Sequence, residues 1–248
     1  MALREEIERQ GNWLFRWRSY LPLLVIPVFI IALQHSKVLE NIIGDRATDY
    51  WEALSIVISF LGLGIRCFTV GYVPKGTSGR NTKSQLAESL NTTGMYSIVR
   101  NPLYLGNFII VFGITLFIQV WWFALMVWVG FWLYYERIMF SEEEFLRKKF
   151  GLLFIEWAEK TPALFPRFKN WKKPSLPFSL KSVIRREFST FFSIIAVFFF
   201  LEVGTNLLLN GKFKIRLSWV YFFIFGSVVY LTCLVLKKKT KLLNVSGR

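Results

Sequence analysis

The chain has 248 residues, of which 54% are hydrophobic and 18% aromatic, and its formal net charge is +15. So much apolar side chain, gathered in runs of about 20 residues with almost no charge, excludes an ordinary soluble domain and predicts an all-α integral membrane protein. The charge does not indicate a nucleic-acid partner, because no basic recognition helix or base-stacking aromatic module accompanies it. It fits the cytosolic excess of Lys and Arg in membrane proteins.

Six membrane spans are predicted along the chain. They cover about residues 18–34, 51–72, 102–119, 120–136, 188–208 and 217–236. The first contains Pro22 and Pro27, and neighbouring helices can absorb such breaks within a membrane. The turn near Gln119 is short and uncharged, so the third and fourth spans are expected to form a tight hairpin.

The distribution of Lys and Arg predicts how the spans are oriented. The N-terminal segment holds four of these residues, the loop after the second span four, residues 136–187 twelve, and the C-terminal tail five. The two loops on the opposite side hold five together. Both termini and both long polar segments are therefore expected to face the cytosol.

The order of polar and apolar segments divides the chain into three parts. Residues 1–50 form an amphipathic segment with a first membrane anchor, and residues 51–170 hold nearly all the polar groups capable of chemistry. Residues 171–248 are an interfacial linker and a C-terminal helix pair of open role. No metal site is expected, because Cys67 and Cys233 lie in predicted spans and no cysteine–histidine cluster is present.

The first segment with groups suited to binding or catalysis is the turn that precedes the third span. Pro102 restricts Asn101 to extended backbone and begins the span at its first turn, where a missing N–H costs nothing. The exposed amides there, beside Arg100, suit a carboxylate or phosphate. Gly94 and Gly106 permit close approach of a ligand to the backbone or of one helix to another. The same pattern also fits a plain junction of loop and helix.

The second segment follows the fourth span and begins with Ser141 and three glutamates. Ser141 and Glu144 fit a capping box at the start of a new helix. Glu142 and Glu143 would then stand in the first turn, where that motif requires no partner for them. They suit an ammonium group or ribose hydroxyls, or form a solvated turn stabilised by the helix dipole.

Taken together, the two segments resemble the membrane methyltransferases typified by isoprenylcysteine carboxyl methyltransferase and phospholipid N-methyltransferase. The resemblance covers about residues 55–170. It implies a cytosolic pocket for S-adenosylmethionine (SAM) around the hairpin, a lateral opening for a lipid, and Arg100 and Asn101 as catalytic candidates. The cofactor-binding residues that it implies are Gly94, Tyr96, Arg100, Pro102, Tyr104, Gly106, Glu142 and Glu143.

The chain departs from the family pattern at three positions. Asn101 stands where the family has a histidine, which keeps a hydrogen-bonding side chain but removes a proton carrier. Phe154 and Trp157 stand where two tyrosines are common, so their polar contacts are in question. Pro162 and Pro166 do fit the closing prolines of the family.

The scarcity of histidine narrows the choice of methyl acceptor. An amine must lose protons before methylation, whereas a phosphate or carboxylate is already anionic at neutral pH. The one histidine, His35, falls in a predicted external loop. The sequence therefore favours an oxyanion acceptor.

The loop after the second span favours a phosphate. Lys75, Arg80 and Lys83 lie there among glycines and hydroxyl residues, which suits a phosphate headgroup or an ordinary cytosolic basic loop. Arg66, inside the second span, is expected to snorkel or to bind the headgroup or the cofactor carboxylate. Residues 77–107 are further similar to bacterial lipid A phosphate methyltransferases, which implies a lipid 1-phosphate acceptor in a bacterial cytoplasmic membrane.

The leading prediction is SAM-dependent O-methylation of a lipid phosphate, with an anionic phospholipid or lipid A as partner. Three alternatives within or near this class are N-methylation of a phosphatidylethanolamine-type headgroup, carboxyl methylation of a prenylated cysteine, and a reductase resembling the membrane sterol reductases. A non-enzymatic protein that binds anionic lipid is the fourth. The oligomeric state is open, as is the role of Glu202, an isolated carboxylate inside the fifth span.

Overall fold

The computed structural model describes residues 2–18, 20–36, 44–74, 76–77, 85–210 and 215–247. In this part of the chain the regular secondary structure is entirely helical. The helices are α1 (Leu3–Trp17), α2 (Ile26–Leu33), α3 (Asp45–Tyr72), α4 (Met95–Ile98), α5 (Pro102–Phe117), α6 (Trp121–Phe150), α7 (Leu152–Lys160), α8 (Leu180–Asn210) and α9 (Leu217–Lys239), with 3-10 turns at Leu21–Val25 and Phe168–Asn170.

Four helices, α3, α6, α8 and α9, are long and apolar enough to cross a membrane. They contain the second, fourth, fifth and sixth predicted spans, which supports an integral membrane protein. The first and third predicted spans correspond to shorter apolar helices at Leu23–Leu33 and Pro102–Phe117. Prolines in the 3-10 turn and at the start of α2 break the first of these, because proline lacks the N–H that a continuous helix needs.

The predicted hairpin of the third and fourth spans is confirmed. α5 ends at Phe117 and α6 begins at Trp121, so three residues make the turn. Gln119 adopts a positive φ of 63° in this turn. The Trp128 indole N–H donates to Thr115 Oγ1 at 2.9 Å and joins the two helices of the hairpin.

The prediction that a helix begins at Ser141 is wrong. α6 is continuous over 30 residues, about 45 Å, so its charged end extends past a hydrocarbon core of about 30 Å. The Ser141 hydroxyl bonds back to the Ile138 carbonyl at 3.0 Å, as serine does within helices. Glu144 is an ion-pair partner of Arg4 instead of a capping residue.

The N-terminal helix α1 lies along the charged end of α6. Lys148 donates to Glu8 at 2.5 Å, and Arg137 donates to Gln10 at 2.9 Å. Phe15 is buried against α5 and α6 beside Ile138. The amphipathic start of the chain is therefore part of the helical bundle.

Glu202 has a partner at the opposite end of the bundle from the charged end of α6. Arg216 Nε lies 3.4 Å from Glu202, and its two terminal nitrogens lie 2.6 Å from Asp49 and Glu52. One arginine thus joins the start of α3, the end of α8 and the start of α9. This arrangement removes the need for an isolated carboxylate within the bilayer.

Helices α3 and α5 cross closely because both have glycine at the crossing. A Cβ atom added at Gly62 would lie 2.6 Å from the Gly106 carbonyl oxygen. The Ser59 hydroxyl donates to the Ile110 carbonyl at 3.0 Å, in a fully buried position. Small residues let membrane helices gain van der Waals contact along their backbones.

Replacing Gly62 by alanine is expected to lower the free energy of unfolding by about 1–3 kcal/mol, because the helices must separate to admit the methyl group. Gly64→Ala on the same helix is the matched control, since a Cβ there meets no atom within 4 Å. Thermal unfolding in detergent compares the two variants with the wild type. Equal melting temperatures for both variants would contradict the close crossing.

Candidate active site

A cavity of about 560 Å³ opens at the end of the bundle where α3 and α6 end and α5 and α8 begin. This volume lies within the range of about 300–1,000 Å³ found for small-molecule sites. Side chains from α1, α3, α4, α5, α6 and α8 form its wall. All three parts into which the sequence divides, residues 1–50, 51–170 and 171–248, therefore contribute to one cavity.

Arg100 holds the turn before α5 against α6 and α7. Its Nε and Nη2 donate to the two carboxylate oxygens of Glu143 at 2.8 and 3.1 Å, and its Nη1 donates to the Ala158 and Thr161 carbonyls, both at 2.7 Å. Four of the five guanidinium N–H groups are thus used within the protein. Among the described residues the fifth N–H makes no hydrogen bond, and Arg100 lines the cavity.

Asn101 also joins the turn before α5 to Glu143 of α6; we call this contact of Arg100 and Asn101 with Glu143 the junction. Its Nδ2 donates to Glu143 at 3.3 Å and to the Ala163 carbonyl at 3.1 Å. Because Arg100 and Asn101 both bind Glu143, the two sequence segments meet at one carboxylate. The amide gives Asn101 a positioning geometry here, and an amide cannot carry a proton in the way that a histidine does.

Glu142 lines the cavity, and its partners differ from those of the neighbouring Glu143. The Tyr104 hydroxyl donates to its Oε1 at 2.9 Å, and Arg18 Nη1 lies 4.0 Å from the same oxygen. A carboxylate accepts about four hydrogen bonds. Glu142 therefore keeps capacity to bind an ammonium group or hydroxyls of a ligand.

Tyr96 brings a neutral phenol to the cavity from α4. Burial raises the pKa of Tyr96 to about 12, so the phenol stays protonated at neutral pH and can donate a hydrogen bond. The Trp157 indole N–H donates to the Tyr96 carbonyl at 3.0 Å. Trp157 thus makes a polar contact of its own at a position where the family commonly has tyrosine, whereas Phe154 is buried.

Arg66 and Glu187 form a buried ion pair across α3 and α8. Nε and Nη2 of Arg66 each lie 2.9 Å from a carboxylate oxygen of Glu187, and Nη1 donates to Asn107 at 2.6 Å. Only 11% and 4% of the two charged side chains are exposed. Arg66 therefore pairs inside the bundle and does not reach outward by snorkelling.

The structure places part of the predicted cofactor set on the cavity wall. Tyr96, Arg100, Pro102, Tyr104 and Glu142 line it, as do the other predicted site residues Asn101 and Arg66. Their roles in binding and catalysis stay predictions.

Three predicted cofactor residues lie behind the wall. Glu143 faces Arg100, and Gly106 meets Arg66 and Gly62 at the helix crossing. Gly94 packs against Pro174 of the linker. The predicted substrate residues Lys75, Arg80 and Lys83 lie outside the described residues.

Sequence reasoning missed the side chains that α1 and α8 contribute. The Arg18 guanidinium stacks over the Phe15 ring at 4.3 Å, and both residues line the cavity. From α8, Arg186 and Glu187 line it as well. The sequence feature that identifies Glu187 is its position as an acidic residue within an apolar helix. Such a residue requires a cationic partner at a similar depth in the membrane.

Comparison with known proteins supports a membrane methyltransferase. Residues 55–152 match the model of the phospholipid methyltransferase family. This region contains the α5–α6 hairpin and with it Arg100, Tyr104 and Glu142. No solved structure matches the chain.

Two relatives carry names that refer to metal resistance. The chain is 28% identical over 166 residues to the nickel-cobalt-cadmium resistance protein NccN of Alcaligenes xylosoxydans xylosoxydans, covering 66% of this chain and 71% of that protein. It is 31% identical over 153 residues to the cobalt-zinc-cadmium resistance protein CzcN of Cupriavidus metallidurans, covering 61% of this chain and 65% of that protein. Within the part of the chain that the structure describes, no group of three or more His, Cys, Asp or Glu is placed to hold a metal ion.

Glu143→Gln is expected to lower the free energy of unfolding by about 1–3 kcal/mol, because it weakens the charged hydrogen bonds that join α5, α6 and α7. Glu159→Gln on α7 removes the same charge at an exposed position and serves as the control. Chemical or thermal unfolding in detergent measures the difference. If Glu143→Gln were as stable as Glu159→Gln, the junction would not stabilise the site.

Proposed function

We propose that this protein is a SAM-dependent methyltransferase that acts on a membrane lipid, with the cofactor and the lipid headgroup meeting in the cavity. The observation that carries the proposal is the convergence of Tyr104 and Glu142, from the two ends of the hairpin, on the wall of one cavity. The family match over residues 55–152 supports methyl transfer as the reaction class.

The residues on the wall fit the chemical groups of SAM. Glu142 would bind its amino group or ribose hydroxyls, because its carboxylate retains capacity to accept hydrogen bonds. Arg18 lies beside Glu142 and would favour the carboxylate of the same ligand. Phe15 and Tyr135 add aromatic surface to the wall for a heterocycle.

When bound, SAM supplies a methyl group on a positively charged sulfur: an acceptor oxygen lone pair forms the new C–O bond while the C–S electron pair remains on sulfur. The protein then contributes mainly by aligning the acceptor with that methyl group. Charge is neutralised when an anionic acceptor reacts with a sulfonium, so exclusion of water by the bundle favours the reaction. No proton has to leave a phosphate acceptor.

The acceptor that we propose is a lipid phosphate, which becomes a methyl ester. His35 packs against Trp122 at the start of α6, with ring centroids 6.2 Å apart, and so lies at the other end of the bundle. Within the described residues the wall carries four arginines, against the carboxylates of Glu142 and Glu187 on the wall and of Glu143 directly behind it. That balance favours an anionic headgroup, such as the phosphate of an anionic phospholipid or of lipid A.

Phosphate methylation also offers a physical link to the names of the relatives. A methylated phosphate carries one negative charge less than its parent. A membrane surface with fewer negative charges attracts divalent cations less strongly. We therefore propose that the product lowers the concentration of metal cations at the membrane surface.

Glu142→Gln is expected to weaken SAM binding about 10- to 100-fold, the usual loss for a hydrogen bond to a charged group. Calorimetry or equilibrium dialysis on the purified protein measures the affinity. Glu136→Gln is the matched control, because Glu136 lies on the same helix but is exposed. Unchanged SAM binding by Glu142→Gln would remove Glu142 from the cofactor site.

The reaction itself is tested by incubating the protein with membranes and methyl-labelled SAM, then separating the lipids. We expect label in a phosphate-bearing lipid whose mass has increased by one methyl group. Sequential addition of up to three methyl groups would instead identify an amine headgroup as the acceptor. Label confined to protein, or none at all, would contradict the proposed function.

A further inference from the structure

One face of α8 is polar although the helix is long and apolar enough to cross a membrane. Arg186, Ser189, Thr190 and Ser193 follow one another at spacings of three, one and three residues, which places them on the same side of a helix. All four line the cavity. Polar groups in a membrane span usually face a cavity or pathway that serves function.

Two charged side chains lie at the start of this face, Arg186 on it and Glu187 next to it. Glu187 is buried and bound to Arg66 through two hydrogen bonds, so the pair contributes no net charge to the cavity. Arg186 is close enough to Tyr96 to act on its phenol electrostatically. Arg186 therefore adds positive charge where α8 faces the segment before α5.

Exposure increases along the polar face. Ser189 and Thr190 are half-buried, whereas Ser193 is exposed although it lies within the apolar part of α8. The Ser193 hydroxyl donates to the Ser189 carbonyl at 2.8 Å, which satisfies it in an apolar surrounding. The row of polar side chains thus leads from the cavity to a surface of α8 that the bilayer can reach.

From this geometry we infer that Arg186, Ser189 and Thr190 bind the phosphate headgroup of a membrane lipid and that the headgroup enters from the bilayer past Ser193. The inference rests on the proposed function and names the acceptor subsite. A guanidinium binds phosphate oxygens through paired N–H groups, and hydroxyls add further donors. The subsite lies on α8, outside the region that matches the methyltransferase family.

Direct binding tests the subsite without any methyl transfer. The purified protein in detergent is titrated with dioctanoyl phosphatidic acid in the absence of SAM. We expect Arg186→Gln to raise the Kd about tenfold or more, because a charge-assisted contact to phosphate is lost. Arg186→Lys is expected to restore part of the affinity.

Arg185→Gln is the matched control. Arg185 precedes Arg186 on the same helix, but its Nη1 donates to Asn244 at 2.9 Å and its side chain does not line the cavity. Its Kd for dioctanoyl phosphatidic acid is expected to equal that of the wild type. Should Arg186→Gln fail to fold, the double variant Ser189→Ala with Thr190→Val carries the same test, with an expected severalfold loss of affinity.

Two further ligands separate a lipid from a free phosphate. Dioctanoyl phosphatidylcholine, with a neutral headgroup, and inorganic phosphate, with no chains, are both expected to bind at least about tenfold more weakly than dioctanoyl phosphatidic acid. If inorganic phosphate bound equally well, entry from the bilayer would be overturned. If phosphatidylcholine bound equally well, recognition of the anionic headgroup would be overturned.

Failure of the subsite and failure of the proposed function give different results. If wild type and Arg186→Gln bind dioctanoyl phosphatidic acid equally, the subsite is overturned even when lipids are methylated. If Arg186→Gln selectively loses binding but the wild type transfers no methyl group from SAM, the subsite stands and the proposed function fails.

Discussion

The junction of Arg100 with Glu143 determines where the site can form. The two residues are 43 positions apart in the chain, and their paired hydrogen bonds bring the start of α5 against the charged end of α6. Arg100 also binds two carbonyl groups around the end of α7, so three helices meet at one guanidinium. Because Glu143 is used in this way, its neighbour Glu142 is left facing the cavity. The adjacent carboxylates thus have different surroundings, because Glu143 holds the junction and Glu142 lines the cavity.

In the part of the chain that the structure describes, buried carboxylates at both ends of the bundle have arginine partners. Glu187 pairs with Arg66 near one end, and Glu202 pairs with Arg216 near the other. An unpaired buried charge is costly, so each pair keeps its helices in register. Glu142 differs, because its nearest donor is a neutral phenol and its arginine neighbour is 4.0 Å away. This incomplete compensation makes the cavity receptive to a ligand that carries positive charge or hydroxyl groups.

Much of this arrangement follows from local sequence, and the rest depends on contacts between distant segments. Long apolar runs predicted α3, α6, α8 and α9, and Pro102 marked the start of α5 correctly. The capping box at Ser141 failed because a local motif cannot show that the preceding helix continues through it. The pair of Arg66 with Glu187 was predictable from the sequence, since Arg66 lies about 10 Å before the end of α3 and Glu187 about 10 Å after the start of α8, at 1.5 Å per residue. The docking of α1 was not, because its polar contacts to α6 are made by charged side chains that many surfaces would accept, and neither Gly11 nor Phe15 indicates which surface covers it.

The residues that line the cavity come partly from the region that matches the family and partly from outside it. The α5–α6 hairpin, within the region matched by the family, supplies Tyr104 and Glu142. Arg18, which directly follows α1, and Arg186 of α8 come from outside that region. In the proposed reaction, alignment of a sulfonium with its acceptor places the same demands on the site whatever the acceptor, whereas each acceptor presents its own charge and shape. We therefore expect flanking helices to set acceptor choice, because their side chains can change without disturbing the junction at Arg100. Under the proposed function, a common hairpin serves lipids of different headgroup, and Arg18 and Arg186 favour an anionic one.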